Sequence, residues 1–179
     1  MSPRYSSVEE LNPQHRVDTF DCGSDAQTTW LRRHALQSHF GGMSRVFVVR
    51  RASDDRVVAY YALTTGSVLK SDAPSRMSQG AGNYDIPVII LARLGVDLTE
   101  QRKGLGRALV VDAFRRVQAV SREVGVRALL VHAEDDDARA FYLSLAQFDH
   151  SPVDDYQLLL LIKDLRRSVT SAPPASPKE

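Results

Sequence analysis

Within seven residues, Gln101-Arg102-Lys103-Gly104-Leu105-Gly106-Arg107, the chain places two glycines and three cations. Glycine lets a ligand approach bare backbone where a Cβ would hold it away. A helix that starts there turns its free N–H groups and the positive end of its dipole toward an anion. The chemistry this suggests is the holding of a phosphate. The spacing does not match the dinucleotide-binding pattern, which needs glycine where Leu109 stands, nor a P-loop, because no Gly-Lys-Ser/Thr follows. Two readings of these residues stay open, an anion cradle and a helix start with solvated cations.

Other residues have chemistry by type. Tyr142 lies among Phe141, Leu143 and Leu145; it reads either as a core tyrosine or as a phenol able to protonate a leaving group. Glu100, Glu134, Asp135, His34, His39 and His132 are candidate bases by type alone, and His132, inside an apolar run, reads as a hydrogen-bonded core residue. Cys22 reads as a packing residue at a turn. Arginines gather at Arg32, Arg33, Arg45, Arg50, Arg51 and Arg56, with Asp54 and Asp55 as the opposing acids and Arg76 and Arg93 as further members. Each one alone reads as a solvated side chain; together they suit a phosphate backbone.

These residues need elements to position them. Residues 88–96 (VIILARLGV) have the β-branched content of a buried strand, and a polar turn at 97–100 leads to the Gly-rich segment. A helix is predicted over 104–124, with the stripe Leu105, Leu109, Ala113, Val117, Val120 and Val124 and Gly125 as its stop. A strand at 127–133, a helix at 137–147 behind a cluster of acids, and a strand at 156–163 follow. Upstream, a helix over 26–40 with Ser24 or Asp25 as N-cap precedes a hairpin of strands 45–51 and 56–65. Residues 66–87 read as a long loop with part of a strand at 67–69. Strand–helix–strand order favours a parallel central pair, so the sheet is expected to be mixed.

The chain has 179 residues, 43% hydrophobic and 25% charged, with a net charge of +1. That predicts one domain over 1–167 and a disordered Pro/Ser-rich tail over 168–179. Near-neutral charge excludes polyanion binding by bulk charge. One cysteine allows no intrachain disulfide and suggests no metal cluster. The N-terminus has no apolar leader, so the expected location is cytoplasmic, with no membrane partner.

Residues 101–106 (QRKGLG) resemble the Q/R-x-x-G-x-G/A acyl-CoA signature of the GNAT superfamily of N-acetyltransferases. The chain is most similar to the acetyltransferase toxins of type II toxin–antitoxin modules, at 20–23 (FDCG), 31–35 (LRRHA), Ser44-Arg45, 94–97 (LGVD), 103–109 (KGLGRAL) and 138–142 (ARAFY). The resemblance implies a GNAT fold: a mostly antiparallel sheet whose central parallel pair splays, with flanking helices. It implies that backbone groups of Leu94, Gly95 and Val96 pair with the pantetheine arm of acetyl-CoA. The amides of Arg102, Lys103, Gly104, Leu105, Gly106 and Arg107 would hold its pyrophosphate. Tyr142 would act as general acid at the sulfur, with Arg32, Arg33, Arg45 and Arg93 on tRNA.

The implied function is acetylation of the α-amine of aminoacyl-tRNA, which inhibits translation. The partners implied are a ribbon-helix-helix antitoxin, DNA only through that antitoxin, and a second copy in a homodimer. A free α-amine titrates at about 7.7–8.0 and a lysine amine at about 10.4, so the lack of an evident base favours α-amine acceptors. The rivals are a GNAT acetylating a small amine or a protein N-terminus, and a noncatalytic acetyl-CoA-binding protein.

Overall fold

The computed structural model describes residues 3–171. Seven strands follow the order β1-β2-β3-β4-β5-β7-β6. They are β1 (Glu9–Glu10), β2 (Arg45–Arg50), β3 (Val57–Val68), β4 (Ile86–Val96), β5 (Ala128–His132), β6 (Asp149–His150) and β7 (Gln157–Leu161). The pairs β1–β2, β2–β3, β5–β7 and β6–β7 are antiparallel. β4 and β5, neighbours in the order and joined through a helix, form the parallel pair. The expected mixed, mostly antiparallel α/β sheet is therefore present.

The chain forms two compact units. The first comprises Met1–Thr64 and Leu91–Ala113. Its core gathers Leu11, Phe20, Leu31, Ala35, Val46, Val48, Val57, Tyr60 and Ala62, with Cys22 and Trp30 packed against it. Each Leu, Val or Phe so buried contributes about 1.5–3 kcal/mol. Tyr60 is fully buried because its hydroxyl donates to Gln27 O at 2.7 Å, and its ring stacks on Trp30 and meets Phe20 edge-on. Cys22 is thus a packing residue. The predicted helix at 26–40 is two: α1 (Asp25–Arg33) and α2 (Ala35–Phe40). His34 breaks it, with φ −121° and ψ −24° outside the helical well. Ser24 caps α1 by accepting the Gln27 N–H at 3.3 Å.

The second unit comprises Thr65–Ile90 and Phe114–Glu179. Its core gathers Val68, Met77, Ile86, Val88, Leu130, Leu159 and Leu161. In the predicted loop 66–87, β3 runs on to Val68, a 3-10 turn covers Lys70–Asp72, and α3 (Ser75–Ser78) buries Met77. The strand predicted at 156–163 gives way at Ile162 to a helix, α6 (Ile162–Ser171). Ile162 and Leu165 are buried at helical spacing, and the Ile162 N–H donates to Arg127 O at 3.1 Å. Residues 168–171, assigned to the tail by composition, belong to this helix; 172–179 lie outside the described residues.

The Gly-rich segment opens α4 (Leu105–Val120), and α5 is Asp136–Leu145. Leu105, Leu109, Ala113 and Val117 are buried as the stripe predicted, joined by Val110 and Phe114. Val120 and Val124 are exposed, because the helix ends at Val120 and the chain turns.

Candidate functional site

β4 delivers the chain through a 3-10 turn, Leu98–Glu100, into the Gly-rich segment. Asp97 caps that turn, its carboxylate accepting from the Thr99 N–H at 3.0 Å. Two residues then take left-handed conformations, Arg102 at φ 61° and Gly104 at φ 88°. Helical bonding begins at the Ala108 N–H, which donates to Gly104 O at 3.1 Å. The amides of Leu105, Gly106 and Arg107 precede that bond and have no acceptor within the helix. A Cβ on Gly104 would meet nothing within 4 Å, so the space over the turn is open. Left-handed residues, free amides and a helix dipole together make an anion cradle, and they fit a pyrophosphate. Gly95 is a glycine for a different reason: a Cβ there would stand 3.0 Å from Tyr60 and 3.3 Å from Cys22 and Phe20.

The three cations of the segment are not equivalent. Arg102 and Arg107 are exposed. Lys103 folds back, its ammonium donating to Thr99 O at 2.8 Å and to Glu100 Oε2 at 3.1 Å. Its ammonium is thus engaged within the turn. Glu100, named from sequence only as a possible base, is 2% exposed. It also accepts from Tyr5 at 2.5 Å, Arg51 at 3.0 Å and Arg4 at 3.2 Å. Burial pushes its carboxyl up, but the hydrogen bonds from Tyr5, Arg51 and Lys103 outweigh it and hold the pKa at about 2. A carboxylate so held does not serve as a base near neutral pH. The signal for this role was absent from the local sequence, because Tyr5 and Arg4 lie 95 and 96 residues away.

Tyr142 lies on α5, whose N-cap Asp135 accepts from the Ala138 N–H at 2.8 Å. Its ring packs with Phe141 and Phe148, at centroid distances of 5.3 and 6.4 Å. Among the described residues its hydroxyl has no hydrogen-bond partner. Burial pushes the phenol pKa well above its usual 10.0, so the group stays protonated through the working pH range. His132 is not in the core: its side chain is 62% exposed at the end of β5, and its Nε2 stands 3.6 Å from Asp154. His39 is buried, and its Nδ1 accepts the Val46 N–H at 3.0 Å. Burial, then the charge of Arg45, pushes its pKa down.

The arginines divide. Arg50 is paired with Glu9 and Asp55, Arg51 with Asp54 and Glu100, and Arg56 stands 3.7 Å from Asp54. Glu9 and Glu100 thus join the two acids expected to oppose this cluster. Arg76, in the second unit, is bound by Asp149 and Asp164 at 3.0 and 2.8 Å. Arg32 and Arg33 end α1, both exposed, with no acidic partner among the described residues. Arg45 is exposed and donates to His39 O at 3.1 Å, and the Arg93 guanidinium lies 5.4 Å from the Trp30 ring centroid. All four are in the first unit.

Among the described residues no group of three or more His, Cys, Asp or Glu is arranged to hold a metal, and no helix is long and apolar enough to cross a membrane. No protein-family model matches the chain. It is 43% identical over 162 residues to a tRNA-acetylating toxin of Mycobacterium tuberculosis, covering 90% of this chain and 95% of that one. Its fold superposes on a tyrosine-to-phenylalanine variant of KacT with TM-score 0.84 at 27% identity, over 92% and 99% of the two chains. It superposes on AtaT complexed with acetyl-methionyl-tRNAfMet with TM-score 0.81 at 28% identity, over 90% and 97%. An AtaT variant bound to the C-terminus of the antitoxin AtaR and acetyl-CoA gives 0.76 at 25% identity, over 92% and 98%.

Proposed function

The chain belongs to the GNAT acetyltransferase toxins, and from that premise we propose that it transfers the acetyl group of acetyl-CoA to the α-amine of an aminoacyl-tRNA, so inhibiting translation. The observation that carries this reading is the open cradle at the start of α4, with Gly104 left-handed and open space where a Cβ would stand. Acetyl-CoA supplies an activated thioester when bound. Leu94, Gly95 and Val96 hold the pantetheine arm through their backbone groups. The amides of Arg102, Lys103, Gly104, Leu105, Gly106 and Arg107 hold the pyrophosphate, and the exposed guanidinium groups of Arg102 and Arg107 add charge.

Tyr142 is the catalytic acid. As the amine attacks the acetyl carbon and the carbon–sulfur bond breaks, the phenol gives its proton to the departing sulfur, and the amine's released proton returns to the phenolate through solvent. Burial weakens the phenol and the departing thiol as acids in the same direction, so the phenol keeps its proton until the carbon–sulfur bond breaks. No side-chain base is required, because an α-amine titrates at about 7.7–8.0.

Arg32, Arg33, Arg45 and Arg93 contact the tRNA. Arginines already neutralised by acids, such as Arg50 and Arg51, have less attraction left for phosphate. An antitoxin restrains the enzyme, as AtaR binds AtaT; its chemistry is that of a ribbon-helix-helix protein, and DNA is reached only through it. The working form is a cytoplasmic homodimer, and its single domain, expected over 1–167, runs on to the end of α6 at Ser171. Labelled acetyl-CoA incubated with the protein and charged total tRNA tests the reading. Label in the aminoacyl moiety is expected; label only on free amines or peptides would overturn it.

A further inference from the structure

The turn that forms the cradle is a costly piece of backbone. Arg102 sits at φ 61°, a region that an L-residue with a Cβ enters only against steric resistance. Such a conformation persists when its surroundings over-determine it, and here they do. Lys103 spans back over Arg102 to Thr99 O and to Glu100, closing a ring across residues 99–103. Before Arg102, the Gln101 side-chain Nε2 donates to both Val96 O and Cys22 O, each at 3.0 Å, which fixes the approach to the turn. Behind the ring stands the Glu100 carboxylate, itself held by Tyr5, Arg51 and Arg4. Every one of these residues lies in the first unit.

We propose that Glu100 is the positioning residue of the acyl-CoA turn: acting through Lys103, it locks Arg102 in its left-handed conformation and so keeps the backbone amides aimed at the pyrophosphate. This rests on the reading of the turn given above. Glu100 touches neither substrate. Its charge draws the Lys103 ammonium inward, and the N-terminal residues Arg4 and Tyr5 complete its shell. The N-terminal segment is therefore part of the machinery that shapes the cofactor turn.

The experiment compares the parent protein with Glu100→Gln, Tyr5→Phe, Arg102→Gly and the double variant Glu100→Gln/Arg102→Gly. Affinity for acetyl-CoA is read by calorimetry, kcat at saturating acetyl-CoA by acetyl transfer, and folding by thermal melting. Glu100→Gln is expected to weaken acetyl-CoA about tenfold, with kcat within about threefold of the parent. Read against Arg102→Gly alone, so that the missing guanidinium charge cancels, adding Glu100→Gln is expected to cost little further affinity, because glycine holds a positive φ without the staple. Tyr5→Phe, the milder change, is expected to weaken binding about threefold and to stay folded; it carries the test if Glu100→Gln does not fold.

A folded Glu100→Gln protein with parental affinity would overturn the proposal alone. So would a loss of about tenfold on adding Glu100→Gln to Arg102→Gly, or, where Glu100→Gln is unfolded, parental affinity in Tyr5→Phe. A parent protein that does not bind acetyl-CoA would overturn the reading of the turn and this proposal with it.

Discussion

Helices α4 and α5 start in opposite ways. α5 fills its own positive end: Asp135 caps the Ala138 N–H, and Asp136 and Asp137 stand in the first turn. α4 has no acid in its first turn, and the residue before it is a left-handed glycine with open space above. Both helices have the same dipole and the same free amides. Where the chain supplies the negative charge itself, the end is spent on stability. Where it withholds the charge, the end is left for an anion from outside. Glu100, in the turn that leads into α4, is buried and its carboxylate is tied to four donors.

On the proposed function α5 supplies a side chain for chemistry and α4 an end for binding, and substitutions can break that division. The largest effect is expected from Tyr142→Phe, which should lower kcat by about 10²-fold while acetyl-CoA affinity stays near parental; steady-state kinetics with charged tRNA would show it. Gly104→Asp gives α4 the kind of start that α5 has. It adds a Cβ at φ 88° and a negative charge at the cradle, and acetyl-CoA affinity should fall by more than about tenfold, on the scale of 1.4 kcal/mol per decade. Retained affinity in calorimetry would show that the open end of α4 is not the anion site.

Smaller changes concern stability. Glu100→Gln should cost about 2 kcal/mol at neutral pH, in the range of hydrogen bonds to a charged group. The Glu100 pKa is lowered from 4.5 to about 2. Its contribution is therefore present in full above pH 4.5 and lost as pH falls through 2. Denaturation series across that window should show parent and variant converging in acid; a constant gap would contradict the role of the carboxylate. Smallest is Asp135→Ala, which empties the α5 cap and should cost about 1 kcal/mol in chemical denaturation without weakening acetyl-CoA.

The periodic elements and the Gly-rich turn were legible because their signals are local. β4, β5, the β2–β3 hairpin and the start of α4 follow from apolar runs and glycine. Elements that depend on distant partners were harder to read. His34 interrupts an amphipathic pattern that would otherwise run on, and Ile162 ends an apolar run as the first residue of a helix. His132 reads as core by its neighbours, yet it is the last residue of its strand and faces outward. The division of the arginines was invisible, since Glu9 lies 41 residues from Arg50 and Glu100 lies 49 from Arg51. The pairing that decides which cations are free is made by the fold.

Arg4 and Tyr5, which close over Glu100, also have a practical meaning for work with this protein. A tag or truncation that reaches these two residues reaches the shell of Glu100. Bulk or charge placed there competes for the guanidinium and phenol that hold Glu100. Constants for acetyl-CoA are best measured on protein that keeps Arg4 and Tyr5 as they stand, because a change at either reaches the carboxylate behind the turn.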